Sequence, residues 1–205
     1  MSIVTLNDRG VRSVTTFGSL HTGSMVFIKK LTASSSATLS FVDGTSDVVL
    51  DDTYKEYLFT FKDIHPATDA AELTFQANVA GGSGYNETIT STYFRAVHDE
   101  ADSVNTLSYD ANRDQTQATG FQEVASDIGN ENDQSASGYL HLFNPSNTTF
   151  VKHFILRTSV YIADTGSRDQ HVSGYFNTTS AIDEIQFKMS SGNIDAGDIC
   201  LYGIL

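Results

Sequence analysis

The sequence predicts an all-β fold, an antiparallel β-sandwich with one short helix at most. Three observations carry that expectation. Apolar and polar residues alternate with period two in run after run, as in strands with one face on a core and one in water. Gly, Asn, Asp and Pro punctuate those runs at turn-sized intervals. The sequence closes on IDEIQFKMSSGNIDAGDICLYGIL (182–205), two apolar strand patterns round a turn with no polar tail. A terminus so rich in Ile, Leu and Tyr belongs in a sheet, because loose ends are usually polar.

Taken in order, Val11–Phe17 and Met25–Leu31 read as the first strands. Ala37, Leu39 and Phe41 alternate with Thr38 and Ser40, and Asp43-Gly44 turns the chain before Val48. Tyr57, Phe59 and Phe61 share one face of the next strand, which Pro66 stops by removing a backbone donor. Leu73, Phe75, Ala77 and Val79 follow, then the loop Ala80–Gly84 and a strand within Glu87–His98. Further strands are expected at Tyr139–Phe143, around Phe154 and Leu156 with Lys152 on the same face, at His171–Phe176, at Ile185–Met189 and at Ile199–Ile204, the last two joined by a turn over Asn193–Gly197.

The stretch 101–137 differs. It is polar throughout, and within it Phe121, Val124 and Ile128 fall at i, i+3 and i+7 with Gly129 after them. That spacing predicts the one short helix. The remainder reads as a long polar excursion, and such loops are generally functional or at an interface.

The 205 residues fit a single β-sandwich domain over 1–205, with 1–50 forming an N-terminal arm or extra strands. Net charge is -13, with only 12 basic residues, and these are scattered. Nucleic-acid binding needs clustered Lys and Arg, so it is not expected, and an anionic membrane would repel this surface. The acidity suits solubility or a basic partner. The single cysteine, Cys200, excludes an internal disulfide and reads as a small buried hydrophobe between Ile199 and Leu201. MSIVTLNDRG has no charged segment followed by an apolar run, so a signal peptide is not expected, nor is any stretch apolar enough for a membrane helix. The expected route outside is lysis or incorporation into a particle made in the host cytoplasm.

No residue is assigned a catalytic, cofactor-binding or metal-ligating role. Asp127, Asn130, Glu131, Asn132 and Asp133 offer oxygen ligands at short spacing, but not in the order of an EF-hand, and a solvated acidic loop is the ordinary outcome. His21, His65, His98, His141, His153 and His171 make no zinc-type spacing; His141 and His153, on neighbouring expected strands, would meet as a structural pair. Asp51-Asp52 and Asp99-Glu100-Asp102 are carboxylate groupings that any acidic chain offers, and no Gly-x-Ser-x-Gly elbow is present. Gly81–Gly84 lacks the Lys and the helix of a phosphate loop. The 13 Phe and 9 Tyr sit mostly in alternating runs, which makes core packing their default; Tyr85 and Tyr109, in expected loops, are the better exposed contacts. Asn86, Asn147 and Asn177 begin glycosylation sequons that have no meaning without export.

Three strings, Tyr54–Gln76, Asn132–Phe154 and Ser173–Ile204, with the closing Gly-x-Ile-x-Leu-Tyr-Gly-Ile (197–204), resemble a family of uncharacterised virion proteins of tailed, often marine, bacteriophages. The resemblance runs from about Tyr54 onward and carries no defined active site. It implies a virion location, a jelly-roll-like sandwich, and other virion proteins of the capsid or tail as partners. On this basis the expected function is that of a non-enzymatic structural protein, a head decoration or cement protein, working as a homo-oligomer, by analogy a trimer, with no cofactor. The alternative is a tail-fibre or receptor-binding module for a host-surface glycan; a glycan depolymerase ranks third.

Overall fold

A computed structural model describes residues 24–205. The expected strand Val11–Phe17, His21 and the rest of residues 1–23 of the expected N-terminal arm lie outside the described residues. Among the described residues there are thirteen strands and no helix: β1 (Met25–Thr32), β2 (Leu39–Val42), β3 (Glu56–Pro66), β4 (Ala71–Val79), β5 (Ile89–Asp99), β6 (Asn105–Tyr109), β7 (Thr116–Ala118), β8 (Gln122–Ile128), β9 (Ala136–Phe143), β10 (Lys152–Ile162), β11 (Gly166–Phe176), β12 (Ile182–Met189) and β13 (Ile194–Ile204). Every pairing is antiparallel. The expected all-β sandwich is what the chain forms.

The strands make two layers. The large layer runs β1-β13-β3-β9-β10-β11-β5, with β6 and β7 on the far edge of β5. The small layer runs β8-β4-β12-β2. The chain passes repeatedly between them: β2, β4, β8 and β12 each leave the large layer and return to it, as in a jelly roll. The layers join at one corner, where Ile162 of β10 pairs with Ile128 of β8.

Period-two alternation builds the core as the sequence predicts. Tyr57, Phe59 and Phe61 of β3, Leu140 and Leu142 of β9, Phe154 and Leu156 of β10, and Ile199 and Leu201 of β13 point inward from the large layer. Phe41, Leu73, Phe75, Ile185 and Phe187 meet them from the small one. Phe187 is the hub: the ring centroids of Phe41, Phe59, Phe61 and Phe75 lie 5.4–6.3 Å from its own. Phe41 and Phe61 meet it edge-on and Phe75 stacks on it, and aromatic packing of this kind adds to the area term.

β13 is zipped between β1 and β3 over most of its length. Gly203 sits where a Cβ would enter the Tyr54 ring, which explains a glycine inside an otherwise apolar strand. Gly197, at φ 116°, is part of an irregularity in the β13–β3 ladder, a conformation natural to glycine. The turn before β13 is Ser190–Asn193, three residues earlier than the spacing predicts, and β13 starts at Ile194.

Three expectations are corrected. Residues 122–128 form β8, not a helix. Gln122, Val124, Ser126 and Ile128, every second residue, are all buried, so the period is two; two of the four are polar and the remaining apolar residues mimic a helical spacing. The stretch 101–137 is not structureless: β6, β7, β8 and the start of β9 lie in it, and Tyr109 ends β6 rather than sitting in a loop. Cys200 is half-buried and belongs to the outward-facing set of β13, opposite Lys30 and Thr60, because Ile199 and Leu201 take the inward positions.

Candidate functional site

The two outer faces of the sandwich differ in cover. Over the small layer lie the β4–β5 and β7–β8 connections. Gln76 Nε2 donates to the carbonyls of Glu87, Thr119 and Gly120 at 2.9–3.2 Å, the Tyr85 hydroxyl donates to Glu184 at 2.7 Å, and the Lys188 ammonium lies 4.0 Å from the centre of the Phe121 ring. Burial and the Glu184 bond raise the pKa of Tyr85. Among the described residues nothing covers the large layer in this way, and its outward side chains are unusual.

Register places them in rows. One row crosses Phe27, Tyr202, Leu58, His141, Ile155, Ser173 and Thr92. The row on one side holds Phe143, His153 and Tyr175, and that on the other Tyr139, Arg157, His171, Phe94 and Tyr109. Each central histidine takes an aromatic partner. His171 stacks on Phe94 at 4.7 Å between centroids and 5° between planes, His141 lies on Phe143 at 4.4 Å, and His153 meets the edge of Tyr175 at 5.9 Å. His141 and His153 therefore share a face, as expected, but pair with different rings rather than with each other. His141 Nε2 also lies 2.9 Å from Glu56.

Across the middle of the third row Arg157 makes a two-pronged contact with Asp169, Nε and Nη2 donating at 2.9 and 2.8 Å, while His171 Nε2 sits 3.2 Å from the same carboxylate. The Arg157 bonds hold the Asp169 carboxyl below the usual range. Apart from this pair and Glu56 beside His141, the residues named in the three rows bear no formal charge, in a chain of net charge -13.

The second polar constellation is internal. At the β5 end of the sandwich the inward positions are Ser91, Tyr93, Arg168 and Gln170, and β8 lies over them. Ser126 Oγ bonds to Tyr93 at 2.9 Å and to Gln170 at 2.5 Å, and Thr158 Oγ1 donates to the Val124 carbonyl at 2.7 Å. Burial lifts Tyr93 to about 12. Arg168, only 7% exposed, bonds Asp127, which also receives Arg113 at 3.0 Å; Arg113 in turn reaches Glu123 at 2.5 Å, and Arg95 reaches Asp110 at 3.0 Å. Burial alone would raise Asp127, but Arg168 and Arg113 outweigh it and hold its pKa down; Glu123, where burial prevails over Arg113, is raised. This network pins the β6–β7 segment to the body of the sandwich, and its charges answer one another.

The other sequence candidates disperse. Asp127 turns into the ion network, Asn130 donates its backbone N–H to Asp69, and Glu131 to Gln134 forms a turn of its own. Among the described residues no group of three or more His, Cys, Asp or Glu side chains is placed to hold a metal ion. Asp99 accepts from the backbone of Ser103 and Val104, Glu100 from Tyr161 at 3.0 Å, and Asp102 faces His98 at 3.1 Å, so the three acids point to three separate partners. Asp51 accepts from the N–H of Thr53, two residues on, in a turn. Tyr109 is exposed, bonded to Asp114. The outer-face rows are not legible in the sequence, because strands apolar on both sides do not announce which side is the core.

Comparison with protein-family models, with curated proteins and with solved structures finds no match to this chain.

Proposed function

We propose that this chain is a non-enzymatic structural protein of a tailed-phage virion, a head decoration or cement protein that works by surface contact. The observation that carries the reading is the outer face of the large layer, which no described residue covers: many strands wide, aromatic and histidine-rich, and nearly free of net charge on an acidic molecule. Contact functions need area, shape and a rim of satisfiable polar groups rather than a tuned nucleophile. The resemblance of the strings from Tyr54 to Ile204 to phage virion proteins supports the location. The acidic remainder of the surface suits a basic patch on a capsid or tail protein, and a homo-oligomer, by analogy a trimer, presents several such faces at once. The test is imaging of the purified particle. Density for the sandwich at hundreds of copies on the head supports decoration; its absence from the particle overturns the reading. A copy number of a few to a few dozen at the tail supports the second reading, a receptor-binding module, which the exposed aromatic rings of the outer face favour.

A further inference from the structure

We infer that the outer face of β9, β10, β11 and β5 is a binding trough for a neutral oligosaccharide, centred on Arg157 and Asp169 and flanked by Phe94 and Tyr139. The inference deepens the receptor-binding reading and rests on it for its biological meaning, though not for its chemistry.

Three open hollows lie along the outward residues of β10. One of about 460 Å³ adjoins His153, Ile155 and Tyr175. One of about 450 Å³ is lined by Tyr139, Arg157 and Asp169. The third, about 410 Å³, shares Ser159 with the second and continues past Tyr161 and Ser167 to an end at His98, Asp99 and Glu100, whose acids would repel an anionic sugar. From residue 153 to residue 161 a strand spans about 26 Å, room for several sugar rings end to end.

The side chains match what a sugar ring presents. A pyranose has a C–H face and a rim of hydroxyls that both donate and accept. Phe94, 42% exposed and stacked against the His171 ring of the neighbouring strand, and Tyr139, 41% exposed, offer aromatic surface whose negative potential suits C–H groups. Between them the Arg157–Asp169 pair presents guanidinium donors and carboxylate lone pairs side by side, fixed by two mutual hydrogen bonds. Such a pair is organised before a ligand arrives, which lowers the entropic cost of binding. Its charges cancel, so it favours an uncharged ligand.

Two other occupants fit less well. The centre of a protein–protein interface is apolar and poor in charge, with polar groups at the rim. Here an exposed ion pair is the centre of the trough and the rings flank it, so a protein partner fits the β1–β13–β3 part of the face, round Phe27, Tyr202 and Leu58, better than it fits the trough. Nucleic acid would meet an acidic molecule with one arginine at the centre of this face, and that arginine already paired.

Full-length protein is titrated calorimetrically with hexasaccharides of glucose, mannose, galactose and N-acetylglucosamine, and with a uronic-acid hexamer as the charged probe. At least one neutral hexamer is expected to bind saturably and more tightly than the charged one. Phe94→Ala is expected to weaken that binding about tenfold. Arg157→Gln, which keeps length and one amide donor, is expected to weaken it similarly, with unchanged melting temperature showing that both variants fold. Four blank neutral titrations at millimolar sugar overturn the inference, as does binding that neither substitution alters. Self-association that Phe94→Ala abolishes, without sugar binding, assigns the face to a second copy and equally overturns it. Particle imaging reads the virion assignment separately, so blank titrations leave that assignment standing.

Discussion

Arg168 shows how much one side chain can hold together. It reaches inward from β11, donates to the Ser126 carbonyl at 3.2 Å and bonds the Asp127 carboxylate. Cutting it to Met leaves that carboxylate short of a partner beside a buried strand. Breaking a buried pair costs about 3–5 kcal/mol, and with Asp127 partly open to solvent we expect about 2–3 kcal/mol in urea unfolding. The pH dependence follows from the same cluster. Asp127 has a folded pKa below its unfolded one, so its contribution is present above pH ~4 and lost as pH falls further. Glu123 is raised, so the folded state takes up its proton first and stability gains as pH falls through that raised value. The expected profile is flat or slightly rising as pH falls from neutral, then falling below pH ~4. Glu123→Gln removes the rise and Asp127→Asn softens the fall; urea midpoints across pH would show either slope unchanged if this account is wrong. Gly203→Ala is expected to cost about 1–3 kcal/mol by driving a methyl into the Tyr54 ring.

Among elements, β13 matters most, because it is the neighbour of both β1 and β3. Removing Cys200–Leu205 exposes two facing ladders and the inward side of Phe59, and insoluble protein is the expected result; a soluble truncation with an unchanged melting temperature would show the strand to be dispensable. β6 is the opposite case, exposed along its whole length and, among the described residues, paired on one side only. Its amides are expected to exchange with solvent fastest among the strands, and faster still in Arg113→Ala, which releases the segment beyond it. The contrast also shows what was legible beforehand. β3, β4 and β12 announce themselves because their inward residues are apolar and their outward ones mostly are not, while β13 is apolar on both faces and is legible as a strand but not in its facing. β8 does not, since Gln122 and Ser126 occupy inward positions and are satisfied by Ser91, Tyr93 and Gln170, partners remote in sequence. The trough is hidden for the converse reason. In β9, Leu140 and Leu142 alternate with Tyr139, His141 and Phe143, and only the fold decides which set is buried.

For the whole molecule, charge and shape separate. The outer face of the large layer is close to neutral, while the remaining surface bears most of the net charge of -13. If acidic flanks hold the protein on a basic patch of the particle, raising salt should strip it off: at about 1 M, where the screening length is about 3 Å, most copies are expected in the supernatant of pelleted virions. Retention at that salt, read by immunoblot of the pellet, would point to an apolar attachment instead.

The pairing of β1 with β13 has a temporal side. These are the first and last of the described strands, and Met25 lies opposite Ile204. A ribosome must therefore pass residue 204 before the strip that separates β1 from β3 exists at all. Until then the nascent chain holds two unmatched ladders and an open core, and contacts this distant in sequence form slowly. Closure thus waits for β13, and chains that stop short of it advertise themselves to proteases. Arrested chains ending before Ile194 are expected to be digested rapidly, whereas released full-length protein resists; only finished copies would reach the assembling particle.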